Sequence, residues 1–133
     1  MTPKEGEDLI RQMLAEFTNF DAPVARLRAL VTPDYRQKVD GRELDLAAFL
    51  DHALALRSAL TRLHIDIEHI VSDGVAAATV HVARATKRSG ERVEMKVVAF
   101  YLFRDGRVSL VDELSHLVHG READETLGST VTS

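Results

Sequence analysis

The sequence predicts an α+β fold in which three helices in the N-terminal half close one face of a curved antiparallel sheet. Residues 61–119 are rich in Val, Ile, Thr, Phe and Tyr, and only short segments at residues 73–74, 87–90 and 104–107 interrupt them. Each interruption contains a Gly, which supplies the positive φ that a hairpin turn requires. The runs are longer than the usual strand of about five or six residues, and long strands twist and curve. Such a sheet has a concave face that the helices can cover.

Two helices are predicted before the first strand. Thr2 caps a helix that has Pro at its first position and Glu5 at its third. Residues 21–23 begin a second, short helix whose apolar face includes Val31, and residues 32–33 end it because the residue before Pro disfavours helix. The buried face of the first helix is formed by Leu9, Ile10, Met13, Leu14 and Phe17, which recur at helical spacing.

A short strand and a third helix complete the N-terminal half. Residues 35–39 form the strand, and Asp40 with Gly41 turns it. Asp45 caps the third helix. At the other end of the chain, residues 121–133 are small and polar, which predicts a flexible tail. The buried stripe of the third helix consists of Leu46, Phe49, Leu50, Ala53, Leu54 and Leu60.

The composition excludes several classes of function. The chain has 133 residues, 17 Lys and Arg against 21 Asp and Glu, a net charge of −4 and no Cys. Interspersed charges of this balance do not suit a nucleic-acid surface, and without Cys neither disulfides nor thiolate metal sites can form. No apolar run has the length of a membrane span, and the first residues are charged, unlike a secretory signal. We therefore expect a cytoplasmic protein with no nucleic-acid or membrane partner.

Two segments of the sequence carry a family resemblance. DYRQKVDGRELDLAAFL, at residues 34–50, is similar to the strand–Gly–helix segment of the SnoaL-like and ketosteroid-isomerase-like branch of the nuclear-transport-factor-2-like superfamily. DGRVSLVDELSHL, at residues 105–117, is similar to the end of that family, with Val111 where the family often has Trp. The resemblance implies one SnoaL-like domain over residues 1–120, a cone-shaped half-barrel with a pocket on its concave face. Members isomerise, dehydrate, cyclise, hydrolyse epoxides or only bind a ligand.

The turn at residues 105–106 decides which side chains face that pocket, and two registers are open. A two-residue turn would pair Phe103 with Val108 and place Glu113 on the convex face. A turn with a bulge at Gly106 would pair Phe103 with Arg107, and the resemblance favours this register. The concave face then carries Val97, Ala99, Tyr101, Val111, Glu113 and Ser115, and the convex face carries Val98, Phe100, Leu102, Val108, Leu110 and Leu114.

In the favoured register, the pocket gathers polar groups from four strands. An imidazole and a carboxylate in a dry cavity suit proton transfer, because burial and neighbouring charges bring their pKa values toward neutrality. His116 and His119 point to opposite faces of their strand, so no metal site is expected, and no cofactor is expected either. The candidate catalytic residues are Glu113, His81, Lys38 and Tyr101. The candidate substrate-binding residues are Arg36, Thr79, Ala99, Val111 and Ser115.

The resemblance assigns roles to some of these positions. Glu113 occupies the place of a pocket carboxylate in the epoxide-hydrolase branch, and the alternative is a structural ion pair with Lys38 or Arg36. Lys38 stands where the steroid-isomerase branch has its catalytic Asp, so the steroid-isomerase mechanism is not expected. His81 is either a wall of the pocket or a group that orients the substrate.

Two functions are open for this pocket. The first is a cofactor-independent lyase, isomerase, cyclase or hydrolase that acts on a small, mostly apolar molecule. Glu113 would move a proton, His81 would polarise the substrate, and Lys38 or Tyr101 would stabilise an oxyanion. The second is a non-catalytic module for ligand binding or dimerisation. In either case we expect a homodimer through the convex face, where Val80 and Val82 extend an apolar patch.

Overall fold

A computed structural model of the chain describes residues 1–130. Three helices and six strands are followed by a short 3₁₀ helix. The helices are α1 (Pro3–Thr18), α2 (Ala25–Arg28) and α3 (Leu46–Ala59). The strands are β1 (Val31–Val39), β2 (Arg42–Asp45), β3 (Leu60–Ser72), β4 (Ala76–Lys87), β5 (Arg92–Arg104) and β6 (Arg107–His119), and the C-terminal 3₁₀ helix comprises Glu122–Ser129.

The six strands belong to one open sheet with the order β2-β1-β6-β5-β4-β3. Strands β3 to β6 form the predicted antiparallel meander. β1 pairs with β6 in parallel, so the sheet is mixed rather than entirely antiparallel. Helices α1 and α3 pack on one face of the sheet, and their apolar residues join those of β1, β5 and β6 in one core. The predicted α+β fold class, with a cone-like sheet covered by helices, is confirmed.

Helix α1 begins and packs as its sequence predicts. The Thr2 hydroxyl accepts from the Glu5 backbone N–H at 3.1 Å, and the Thr2 N–H donates to the Glu5 carboxylate at 2.8 Å, which forms a capping box. A Cβ atom at Gly6 would lie 2.4 Å from Ser72 Oγ and 2.8 Å from a ring carbon of Phe103. The absence of a side chain at Gly6 therefore allows α1 to approach β3 and β5 closely.

Helix α2 ends earlier than the sequence predicts. It covers Ala25–Arg28, and Val31 already belongs to β1 instead of a helix. The Val108 N–H donates to the Leu30 carbonyl at 2.9 Å, which draws this segment to the end of the sheet. Pro33 has no N–H to donate, and it lies in the part of β1 where the pairing with β6 is irregular.

At the turn between β5 and β6, the pairing of the two strands differs from the predicted one. Asp105 and Gly106 have φ values of 55° and 72°, and Phe103 pairs with Val108, so the turn has two residues and the pairing with Arg107 was wrong. One residue later the ladder shifts, because Ser109 is an extra residue between the paired positions. Val108 is consequently buried in the core and not on the convex face. Beyond the bulge, Tyr101 pairs with Val111 and Ala99 with Glu113, which restores the predicted facing.

The chain after β6 forms a helix where we predicted a tail without regular structure. Asp124 is 6% exposed, and its carboxylate accepts from Lys87 Nζ at 2.6 Å and from the Arg121 backbone N–H at 2.8 Å. Arg121 also forms an ion pair with Glu91 at 2.8 Å. These contacts hold the C-terminal 3₁₀ helix against the hairpin that joins β4 to β5. The last part of the predicted tail, residues 131–133, lies outside the described residues.

The core lies on the concave side of the sheet. A larger cluster joins α1 and α3 to β1, β5 and β6, and a smaller one joins Leu56 and Leu60 to Val93 and Met95. Within residues 1–130, no helix combines the length and the apolar character needed to cross a membrane.

Candidate functional site

A cavity of about 120 Å³ lies between the concave face of the sheet and helices α1 and α3. Its walls are mainly apolar and include Met13, Phe17, Phe49, Leu56, Ile65 and Met95. Five of the predicted site residues line this cavity, namely His81, Tyr101, Val111, Glu113 and Ser115.

Two other predicted residues lie on the same face but beneath the cavity wall. Thr79 is 1% exposed and contacts His81 and Tyr101, which separate it from the cavity. Ala99 is buried between Thr79 and Glu113 in the strand pairing.

The prediction for β1 was wrong, because Arg36 and Lys38 are exposed on the opposite face of the strand. Tyr35, Gln37 and Val39 face the cavity instead. The ion pair between Glu113 and either cation, which was the structural alternative for this carboxylate, therefore does not form. The alternation of side chains along β1 would have predicted this arrangement, because Gln37 lies between Tyr35 and Val39 on the same face and both of these are buried.

Gln37 is the direct partner of Glu113. Its Nε2 donates to Glu113 Oε1 at 2.5 Å, and its Oε1 accepts from the Tyr35 hydroxyl at 3.1 Å. One hydrogen bond from a neutral amide compensates little of the desolvation of a carboxylate. Burial accordingly raises the pKa of Glu113 to about 7; the Gln37 hydrogen bond opposes this shift, and the charges of Asp40 and Asp112 reinforce it.

The turn between β1 and β2 fixes the backbone around Glu113. The Asp40 N–H donates to the Glu113 carbonyl at 3.0 Å. The Asp40 carboxylate accepts from the Ser115 backbone N–H at 2.7 Å and from its hydroxyl at 2.5 Å. The Ser115 hydroxyl is thus engaged by Asp40, so its contribution to the site is to hold β6 in place.

A second group of polar side chains lies on β4 and β5, on the same face of the sheet as Glu113. Thr79 Oγ1 lies 2.9 Å from His81 Nδ1 and 2.8 Å from the Tyr101 hydroxyl. Burial lowers the pKa of His81 to about 4, so its imidazole is neutral at pH 7. Burial also raises the pKa of Tyr101, which keeps the phenol protonated; the Thr79 hydrogen bond opposes this shift and the Glu113 charge adds to it.

Two further parts of the cavity wall were not predicted. His52 of α3 lies with its ring centroid 5.7 Å from that of Phe17, and its Nδ1 is 2.6 Å from the Thr130 carbonyl oxygen. Leu127 and Gly128 of the C-terminal 3₁₀ helix also line the cavity. His52 could have been predicted, because helical spacing puts it beside the buried residues Phe49 and Ala53. The 3₁₀ helix could not, because the sequence after Gly120 has no periodic pattern that indicates packing.

The site therefore offers acid–base groups in an apolar enclosure. A carboxyl group that titrates near neutrality faces the same cavity as a neutral imidazole and a phenol. Among residues 1–130, no group of three or more His, Asp or Glu side chains is arranged to hold a metal ion.

Solved structures share this fold over most of the chain. AclR from Streptomyces galilaeus, described as a candidate hydroxylase, has a TM-score of 0.78 at 18% identity, over 98% of this chain and 89% of that one. An epoxide hydrolase from M. tuberculosis has a TM-score of 0.74 at 17% identity, over 86% and 84%. IdmH from Streptomyces antibioticus, described as a candidate polyketide cyclase, has a TM-score of 0.71 at 23% identity, over 82% and 90%. At these identities the likeness shows the fold.

A relative in sequence covers nearly the whole chain. An uncharacterized protein of Schizosaccharomyces pombe is 52% identical over 126 residues, which are 95% of this chain and 97% of the relative. The model of the SnoaL-like domain matches residues 10–111. The chain therefore belongs to the SnoaL-like domain family.

Proposed function

We propose that the protein is a cofactor-independent enzyme that moves a proton on a small, mostly apolar molecule, with Glu113 as the general acid and base. The observation that carries this proposal is a carboxyl group with a pKa of about 7 at the wall of an apolar cavity. A group whose pKa is close to the working pH populates both its acid and its base form, which suits proton transfer in either direction.

The groups around Glu113 support this role. Gln37 holds one carboxylate oxygen, so the second oxygen, Oε2, is the one we assign to the substrate. Tyr101 and His81 are neutral hydrogen-bonding groups that can stabilise an oxyanion in a cavity of low polarity. Lys38 cannot take this role, contrary to the prediction, because it lies on the other face of β1. Lyases, isomerases, cyclases and epoxide hydrolases all use a proton transfer of this kind.

A non-catalytic module for ligand binding is the second candidate. It is favoured by the mainly apolar wall and by the absence of Lys and Arg among the described residues that line the cavity. An anionic intermediate would have only neutral donors to stabilise it. The two functions differ in whether a bound molecule exchanges a proton with the protein.

Deuterium exchange into an enolisable ketone distinguishes the two candidates. Indan-2-one in D₂O exchanges the hydrogens next to its carbonyl group, and NMR follows the loss of their signal. We expect the wild type to accelerate this exchange and Glu113→Gln to reduce the accelerated rate by about 100-fold or more. The accelerated rate should rise with pH through about 7, because the carboxylate is the base.

Asp112→Asn is the matched control, since Asp112 is the exposed neighbouring carboxylate on the same strand. It should keep the accelerated exchange and lower the pH at which the rate rises only slightly, because the Asp112 charge is the smallest of the causes that raise the pKa of Glu113. If indan-2-one binds and the wild type exchanges it no faster than Glu113→Gln, the catalytic role of Glu113 is wrong and the binding module is favoured.

A further inference from the structure

Tyr101, Thr79 and His81 form a continuous hydrogen-bonded chain, which we call the Thr79 relay. Tyr101 and His81, the two ends of the relay, line the cavity, and Thr79 between them is 1% exposed. Thr79 Oγ1 lies 2.8 Å from the Tyr101 hydroxyl and 2.9 Å from His81 Nδ1. Within residues 1–130, His81 Nε2 has no hydrogen-bond partner, so it is the ring nitrogen that a bound molecule can engage.

The number of protons in the relay restricts what its ends can do. With His81 neutral, the relay holds three exchangeable protons: one on each hydroxyl group and one on the imidazole ring. The two internal hydrogen bonds use two of them. The buried Thr79 hydroxyl has to donate to one of its two neighbours, because a buried donor without an acceptor is unfavourable. Only one proton then faces the cavity, on the Tyr101 oxygen or on His81 Nε2, and the opposite end is an acceptor.

We propose that Thr79 is a specificity-determining residue that selects a molecule with one hydrogen-bond donor beside one acceptor, as in an α-hydroxyketone. A ligand with two acceptors would leave one end of the relay unpaired, and sites that pair a polar group discriminate strongly against analogues that lack it. The apolar remainder of the wall suits hydrocarbon substituents on such a molecule. Tyr101 and Glu113 are diagonal neighbours on the cavity face, so one ligand can reach both the relay and the carboxylate.

Together with Glu113, the relay can carry out the isomerisation of an α-hydroxyketone, and this step rests on the proposed function of Glu113. The Glu113 carboxylate removes the proton from the carbon that carries the hydroxyl group. The carbonyl oxygen of the substrate takes the proton of the Tyr101 hydroxyl group, and Tyr101 takes the proton of Thr79 in return. Thr79 then takes the proton of His81 Nδ1, and His81 Nε2 takes the hydroxyl proton of the substrate. Glu113 then returns its proton to the former carbonyl carbon of the enediolate. The product is the isomeric α-hydroxyketone, and no co-reactant is consumed.

Binding of a matched ligand pair tests the selection. The pair is 2-hydroxy-1-phenylpropan-1-one and 1-phenylpropane-1,2-dione, which has a second carbonyl acceptor in place of the hydroxyl donor, and NMR titration measures both affinities. We expect the wild type to prefer the hydroxyketone by about tenfold. Thr79→Val, which keeps the shape without the hydroxyl, should lose this preference, and Thr79→Ser should keep it. An unchanged preference in Thr79→Val would overturn the proposal.

The tautomer of His81 gives a second test that does not involve a ligand. In Tyr101→Phe, His81 Nδ1 is the side-chain acceptor that remains in contact with Thr79 Oγ1 among residues 1–130. Nitrogen NMR of the imidazole should therefore find the His81 proton on Nε2 in this variant. A proton on Nδ1 would show that Thr79 does not connect the two groups and would also overturn the proposal.

Isomerisation of 2-hydroxy-1-phenylpropan-1-one to 1-hydroxy-1-phenylpropan-2-one separates this proposal from the function of Glu113. Glu113→Gln should abolish the isomerisation and keep the tenfold binding preference. If Glu113→Gln still isomerises the hydroxyketone, the function proposed for Glu113 fails while the relay stands. If Thr79→Val keeps the preference, the relay fails whatever Glu113 does. If the wild type binds but does not isomerise, the proton-transfer step is wrong.

Discussion

Glu113 keeps its proton to a higher pH in the folded protein than in the unfolded chain, because burial disfavours the carboxylate. Its pKa rises from 4.5 to about 7. Between these values the folded state holds a proton that the unfolded state has released, so the stabilisation present at low pH is lost as the pH rises. We expect the stability of the wild type relative to Glu113→Gln to fall by up to about 3 kcal/mol between pH 4.5 and 8. Urea unfolding of both proteins across this range measures the difference.

Comparison with Glu113→Gln isolates this effect from that of His81. The pKa of His81 is lowered from 6.5 to about 4, so His81 makes the folded state more stable as the pH rises through that interval. Both proteins contain His81, and its contribution cancels in the difference. Asp112→Asn is again the control and should show no comparable trend. A stability difference that is constant with pH would show that Glu113 is ionised at neutral pH.

Single residues of the site were predictable where alternation along a strand is clean. The small and polar residues of β4 and the residues of β6 beyond Val111 lie on the predicted face. Gln37 was not predicted, because the charges of its neighbours Arg36 and Lys38 favour those two residues for the pocket. Burial of Tyr35 and Val39 determines the orientation of the strand, since apolar burial outweighs a possible ion pair.

The C-terminal 3₁₀ helix is the element whose attachment determines the shape of the cavity. Asp124 and Lys87 are 7% and 24% exposed at their side chains, so their ion pair is shielded from solvent. We expect Asp124→Asn to lower the free energy of unfolding by about 1–3 kcal/mol and to speed amide hydrogen exchange over residues 122–129. Mass-spectrometric hydrogen exchange measures the second effect.

Glu125→Gln is the control for that variant, because Glu125 belongs to the same helix, carries the same charge and is exposed. It should leave both measurements unchanged. Equal exchange in the wild type and in Asp124→Asn would mean that this ion pair does not hold the helix, and that contacts such as the ion pair of Arg121 with Glu91 and the apolar packing of Leu127 hold it instead.

Elements with a local signal were predictable, and those without one were not. Helix α1 begins with a capping box, and the Asp45 carboxylate caps α3 by accepting from the Ala48 N–H at 2.9 Å. Residues that are close in the sequence form both caps, so both could be predicted. The bulge at Ser109 has no such signature, because it depends on how β6 fits β5 and β1 together. The parallel pairing of β1 with β6 likewise joins residues that are far apart in the chain.

At the scale of the whole molecule, we propose a homodimer through the convex face of the sheet. Val98, Phe100 and Leu114 are 54%, 44% and 66% exposed there. Val82 contributes less than expected, at 8% exposure. Adjacent exposed apolar residues on one face indicate an interaction surface, and a two-fold contact would bury both copies of it. We expect Phe100→Glu to halve the mass measured by light scattering and to remain folded.

Leu54→Glu is the control for the dimer, because Leu54 is 49% exposed but lies on helix α3, away from the convex face. It should run at the mass of the wild type. A wild type that runs as a monomer at high concentration would contradict the dimer.

The pairing of β1 with β6 has a consequence for how the protein acquires its site. The hydrogen bond between Gln37 and Glu113 joins residues that are 76 positions apart in the sequence, and the hydrogen bonds of Asp40 with Ser115 join residues 75 positions apart. Long loops have to close before such contacts form, and a high contact order slows folding. During synthesis, the segment with Gln37 leaves the ribosome well before its partner strand exists. A nascent chain that ends before β6 can therefore form its N-terminal helices, but Gln37 has no partner and the site does not exist until β6 has been made.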